Sequence, residues 1–180
     1  MDQRTALGLE VKYCASSAEV GEGAKIAGYA SLFGQRDRGG DVVAAGAYST
    51  SLKRLKAQGR RVKMLWQHDP NTPLGVWDVV REDAKGLWVE GRLLPQVQAS
   101  REALALLEAG AVDGLSIGYR TVKAEAQAQG RLLTEIELWE VSLVTFPMQP
   151  DARAHAGADG QADALAGELA EAFAEARARL

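Results

Sequence analysis

The chain has 180 residues, a formal net charge of -3 and a pI near 5.5, with 47% hydrophobic and 25% charged residues. That is material for one ordinary domain with a core of its own, and the acidic balance argues against general attraction to nucleic acid or an anionic membrane. Cys14 is the sole cysteine, so an internal disulfide is excluded and no structural zinc site is expected; no run approaches the roughly 18 apolar residues of a membrane span, and no signal peptide is visible, so a cytosolic protein is expected.

Leu9 to Ala15 and Lys25 to Phe33 are predicted strands, the second carrying Ile26, Tyr29 and Leu32. Asp37 to Asp41 is a glycine-containing loop. Gly46 to Gln58 is predicted helical, with Tyr48, Leu52 and Leu55 on one face and Gly59 as its stop. Val62 to Gln67 is a short strand, and Val76 to Arg81 and Leu87 to Leu94 form a hairpin around Glu82-Asp83-Ala84-Lys85-Gly86. Gln96 to Ala109 is a second helix, and Leu115 to Lys123 and Leu132 to Phe146 are the last strands. About seven strands against two interior helices predict a mixed, α+β class dominated by β, with a mainly antiparallel sheet or barrel.

The composition changes near Pro150. Of the last 30 residues, 12 are alanine, and Leu165, Leu169, Phe173, Ala176 and Leu180 fall on one stripe of an amphipathic helix. The expected organisation is a domain over 1–150, a linker over 151–160, and a helix or tail over 161–180, either docked on the domain or free to bind a partner or be removed.

The chemistry centres on Gly114-Leu115-Ser116-Ile117-Gly118-Tyr119. Alternation along a strand sends Ser116 and Gly118 to the same face, so the serine looks onto a strip cleared by glycine. Alone, the hexapeptide also suits a tight turn. The chain has two histidines, and His155 lies in the alanine-rich linker, so His68 is the candidate general base for Ser116. Glu140 sits in the otherwise nearly apolar row Ile136, Leu138, Glu140, Ser142 and Val144, where a carboxylate needs a partner. A histidine ring held in one tautomer would meet that need; pairing with Arg120 is the alternative, and Glu137 is the more exposed acid. Serine, base and acid together are the parts of an activated nucleophile. Gly-x-Ser-x-Gly also matches the α/β-hydrolase elbow, but that needs a strand before the serine, a helix after it, and a histidine downstream. Here each of these is reversed.

Ile26-Ala27-Gly28-Tyr29-Ala30-Ser31-Leu32-Phe33, Gly46-Ala47-Tyr48, Leu65-Trp66-Gln67-His68-Asp69, Pro73-Leu74-Gly75, Gly86-Leu87-Trp88-Val89, the Ser116 hexapeptide and Glu140-Val141-Ser142-Leu143-Val144-Thr145-Phe146-Pro147 are an ordered set. Over roughly residues 8 to 150 it resembles the prohead maturation proteases of tailed phages. The resemblance implies a fold akin to the herpesvirus assemblin proteases, a small antiparallel β-barrel ringed by a few helices. It also implies catalysis by His68, Ser116 and Glu140 without cofactor or metal. The implied substrates are the scaffold segment of the major capsid protein and the protease itself. The implied setting is an assembling procapsid in the host cytoplasm, in a phage, a prophage or a gene transfer agent, with homodimerisation possible as in the assemblins. Herpesvirus relatives place arginines soon after the third residue, whereas Met148 and Gln149 follow Pro147 here. The oxyanion donors expected are therefore backbone N–H groups near Ser116 or in that loop, with Arg120 or Arg153 as side-chain candidates.

Lys53, Arg54, Lys56, Arg60, Arg61 and Lys63 form a basic run that reads as a solvated helix face, or as a patch for an acidic scaffold or packaged nucleic acid. Without interleaved aromatics it fits nucleic acid poorly. Trp66 and Trp77 are expected in the core or cleft wall. The competing functional class is a catalytically inactive capsid-assembly domain. A metal-dependent hydrolase using His68 with Asp69, Asp37 or Asp41 fits poorly, because one histidine in the domain cannot supply a typical zinc set.

Overall fold

The computed structural model describes residues 10–14, 19–21 and 24–146. The expected linker and terminal helix, with His155 and Arg153, lie outside the described residues. In chain order the elements are β1 (Glu10–Cys14), β2 (Glu19–Gly21), β3 (Lys25–Leu32), β4 (Val42–Val43), α1 (Ser49–Ala57), β5 (Lys63–Trp66), β6 (Asp69–Glu82), β7 (Gly86–Leu93), α2 (Gln98–Glu108), β8 (Gly114–Ala126) and β9 (Arg131–Val144). The strands form one sheet in the order β1-β8-β9-β5-β6-β7-β3-β2, with β4 beside β9. The sheet curls into a half-barrel, bringing β3 near β8 and β1.

The pairing is mainly antiparallel, with two exceptions. β5 runs parallel to β9, from Lys63↔Glu140 to Trp66↔Leu143, and β4 is also parallel to β9. A parallel pair needs a long connection to bring the chain back in the same direction, and the segment containing β6, β7, α2 and β8 supplies it. β6 also starts at Asp69, well before the predicted Val76, despite Pro70 and Pro73. Prolines argue against a strand because they cannot donate to the ladder. Two register irregularities, at Met64/Leu65 and Leu65/Trp66, accommodate them in the pairing with β5.

Both helices are shorter than their apolar spacing predicts, and the backbone explains why. Gly46 has φ +85°, outside the helical region, so α1 starts only at Ser49. Glu82 reaches from β6 to cover that end, accepting from the Tyr48 amide at 3.0 Å and the Ser49 hydroxyl at 2.5 Å. At the other end Arg60 N–H returns to Leu55 O at 2.9 Å and Gly59 adopts φ +63°, the left-handed stop that closes the last turn. α2 ends in the same way, with Ala111 N–H on Leu106 O at 2.8 Å and Gly110 at φ +68°.

The core lies inside the curl. Ile26, Met64, Leu74, Leu87, Leu115, Ile117, Leu138 and Val141 are buried there, each large side chain contributing about 1.5–3 kcal/mol of transfer free energy. Ala103 and Leu107 of α2 join them, and the Ser100 hydroxyl donates to Leu74 O to hold that helix on β6. Trp77 is also buried and donates its indole N–H to Val141 O at 3.2 Å, tying β6 to β9. The basic run stays exposed as a solvated face, with Arg54 paired to Glu137.

Candidate active site

The turn between β5 and β6 positions the histidine. Trp66 pairs with Asp69, leaving a two-residue loop of Gln67 and His68 with φ 50° and 61°. Two consecutive positive φ values are the signature of a type I′ hairpin turn, which matches the twist of the flanking strands. Neither residue is the usual Asn or Gly, and the left-handed region costs an ordinary residue about 1–2 kcal/mol. Contacts to the end of β9 hold the turn in place. Gln67 N–H donates to Leu143 O at 2.9 Å, its side-chain amide donates to Thr145 Oγ1 at 2.6 Å, and Thr145 N–H returns to Gln67 Oε1 at 3.4 Å.

Neighbouring central strands present the other groups. On β8 and β9, Ser116 is opposite Ser142 and Gly118 is opposite Glu140. His68 Nε2 lies 2.7 Å from Ser116 Oγ, and His68 Nδ1 lies 2.6 Å from Glu140 Oε1. Glu140 Oε2 accepts from the Ser142 hydroxyl at 2.5 Å, and that hydroxyl accepts from the His68 backbone N–H at 3.2 Å. Serine, imidazole and carboxylate thus form one continuous hydrogen-bonded chain. All four residues are buried, with Ser116 and Ser142 at 0% exposure. A β-bulge follows Gly118: Tyr119 pairs with Leu138, so Trp139 has no opposite number and lies partly exposed while Glu140 stays buried.

Chemically, the arrangement suits proton transfer from a hydroxyl to a neutral imidazole whose far nitrogen is held by a carboxylate. The structure brings together His68, Ser116 and Glu140, as the sequence analysis grouped them. It separates the others. Arg120 does not pair with Glu140; it lies at the surface on Glu137 Oε2 at 2.6 Å. Glu137 therefore pairs with two arginines, Arg54 through Oε1 and Arg120 through Oε2, at the sheet surface. Asp41 is held by Arg131, whose backbone and side-chain N–H groups donate to it at 2.6–3.1 Å, and Asp37 accepts from the Asp41 amide at 2.9 Å. Asp69 accepts from Asn71 and Thr72 in the first residues of β6. Among the described residues no three His, Cys, Asp or Glu side chains converge on a common point.

Sequence reasoning assigned no role to Ser142, Gln67 or Thr145. Ser142 could have been noticed two residues beyond Glu140 in the same alternating row, as the sole other polar residue there. Gln67 and Thr145 carry no such local sign, because their contact joins positions 78 residues apart.

The caudovirus prohead serine protease family matches residues 11–164. The prohead protease of Enterobacteria phage HK97 is 36% identical over 129 residues, covering 69% of this chain and 56% of that protein. The prohead protease of Escherichia phage T5 is 30% identical over 129 residues, covering 71% of this chain and 60% of that protein. The chain therefore spans little more than half the length of these curated relatives. The structure of the bacteriophage T4 capsid assembly protease superposes with a TM-score of 0.62 at 14% identity, covering 77% of this chain and 98% of that one, a likeness of fold.

Proposed function

We propose that this chain, which belongs to the caudovirus prohead serine protease family, is a serine endopeptidase that cuts the scaffold segment of the major capsid protein, and itself, as a prohead matures. The observation that carries this reading is the buried chain Ser116 Oγ, His68 and Glu140, with links of 2.7 and 2.6 Å. Ser116 attacks a peptide carbonyl while His68 Nε2 takes its proton. The resulting imidazolium is balanced by Glu140 and then gives the proton to the leaving amine. Water, deprotonated by the same nitrogen, hydrolyses the acyl-enzyme and restores the serine. Backbone N–H groups near Ser116 or in the loop after Pro147 supply the oxyanion donors in this reading, since Arg120 is engaged with Glu137 at the surface. Action inside an assembling procapsid in the host, in a phage, prophage or gene transfer agent, belongs to the same proposal, as do kinship with the assemblins and a homodimeric active form.

Co-expression with the major capsid protein of the same particle tests the reading. Wild type is expected to yield a shortened capsid protein and Ser116→Ala the full-length one, since loss of the nucleophile in such a unit costs about 10⁴ to 10⁶ in rate. Equal processing by both would exclude the protease assignment and leave the inactive assembly domain.

A further inference from the structure

We infer that Ser142 is a positioning residue whose hydroxyl holds the Glu140 carboxylate in place to accept the ring proton of His68, and decides which side-chain atom faces His68 when position 140 carries an amide. This rests on the proposed reading of Ser116 as nucleophile. The fixed reference is the backbone N–H of His68, which can only donate. It lies 3.2 Å from Ser142 Oγ and occupies a lone pair there. A hydroxyl has a single proton, and the other close partner of Ser142 is Glu140 Oε2 at 2.5 Å, so the proton goes to the carboxylate. Glu140, as a carboxylate, accepts at both oxygens, and the Ser142 bond to Oε2 turns Oε1 toward the ring. Oε1, 2.6 Å from His68 Nδ1, receives the ring proton, which leaves the lone pair of the neutral imidazole on Nε2, facing Ser116. That is the tautomer a general base needs.

The placement of Ser142 makes the direction hard to reverse. Its backbone lies between Ser116 of β8 and Leu65 of β5, and the residue is fully buried. The same turn that presents the His68 ring presents the His68 amide, so ring and reference move as one piece.

An amide at position 140 exposes this role. In Glu140→Gln one side-chain atom accepts and the other donates. The Ser142 proton claims the carbonyl oxygen, the NH₂ turns toward His68 Nδ1, and the ring proton is forced onto Nε2, where it faces Ser116. In Glu140→Gln/Ser142→Ala that demand is gone, and the amide rotates to offer its oxygen to Nδ1–H. Imidazole ¹⁵N shifts in full-length ¹⁵N-histidine-labelled protein report the tautomer directly, with His155→Gln in every sample so that a single histidine remains. The expected series is Nδ1–H in the parent, Nε2–H in Glu140→Gln, and Nδ1–H again in the double variant.

Kinetics on a capsid-derived peptide give a second readout. Ser142→Ala lowers kcat/KM by about 10- to 100-fold with KM little changed, yet raises the activity of Glu140→Gln by about tenfold. A side chain that only packs would lower both. Nε2–H persisting in the double variant, or Nδ1–H in Glu140→Gln, overturns the inference. Should Ser142→Ala not fold, Ser142→Val and Ser142→Thr, which share a shape and differ in the hydroxyl, make the same comparison. Absence of peptidase activity in the parent, with the tautomer series intact, would instead overturn the proposed function alone.

Discussion

The Glu140 side chain fills the space that Gly118, its partner on the neighbouring strand, leaves open. They are direct partners across β8 and β9, and a Cβ built on Gly118 would lie 2.7 Å from Glu140 Cδ and nearer still to Oε1. The missing side chain is the notch in which the carboxylate sits while it reaches His68.

Gly118→Ala is therefore expected to push Glu140 off His68. The overlap is with the Glu140 side chain itself, so it is relieved by turning that buried carboxylate away from its partners, and stability falls by about 1–3 kcal/mol. Peptide cleavage falls further, by about 10² to 10⁴, because the base loses its orienting acid. Thermal melts and kcat/KM check both; a folded variant with wild-type kcat would refute the notch.

Gln67 holds the turn that carries His68. Gln67→Ala removes the side-chain links to Thr145, expected to cost about 1–3 kcal/mol for two hydrogen bonds. Gln67→Asn suits the left-handed turn better than alanine but is one carbon too short for Thr145. Asparagine should thus regain stability over alanine without regaining kcat, measured by denaturant melts alongside peptide cleavage. Equal kcat for all three proteins would show that the clamp does not position His68.

Ser116, His68 and Glu140 are exposed by 0, 2 and 4%. With Ser116 as the proposed nucleophile, a substrate carbonyl is expected to reach its Oγ only after the surroundings move, an opening step before chemistry. Labelling of the isolated protein by a serine-directed fluorophosphonate is expected to level off in rate as reagent is raised. A rate that stays proportional to reagent up to its solubility limit would mean the nucleophile is open at rest.

Asp83 organises the β6–β7 hairpin. Burial pushes its pKa up, but donation from the Lys85 and Gly86 amides and the Tyr29 hydroxyl, with the nearby Arg81 charge, outweighs this and lowers it overall. A carboxyl with a lower pKa folded than unfolded stabilises fully above its unfolded value, near 3.9, and loses that contribution as pH falls through the folded value. Asp83→Asn should lower Tm at neutral pH, and its gap from wild type should narrow as pH drops below about 4. A gap independent of pH would show that the charge is not what matters. Burial and the Asp83 contact push the Tyr29 hydroxyl in the other direction, upward, so it remains a donor across this range.

Much of the fold was legible from periodicity. β1, β3, β5, β7, β8, β9 and both helices appear where alternation or helical spacing predicted them, because side-chain burial repeats locally, whereas the short β2 and β4 were not predicted. The errors cluster where distant chain decides. β6 runs through two prolines because its pairing with β5 is irregular there, and β5 lies parallel to β9 because α2 and the neighbouring strands return the chain in that direction.

The candidate site divides in the same way. Scarcity pointed to His68, since the other histidine lies in a linker-like segment, and an acid in an apolar row pointed to Glu140; both are properties of the chain read in order. That Gln67 and His68 form a two-residue left-handed turn is invisible in a Gln-His dipeptide. So is the choice of Glu137 over Glu140 by Arg120, which depends on the bulge after Gly118. Composition and spacing determine which groups are present and which face of a strand they favour. Only packing across the sheet decides which donor meets which acceptor, because hydrogen bonds act over about 3 Å while their partners here lie dozens of residues apart in the chain.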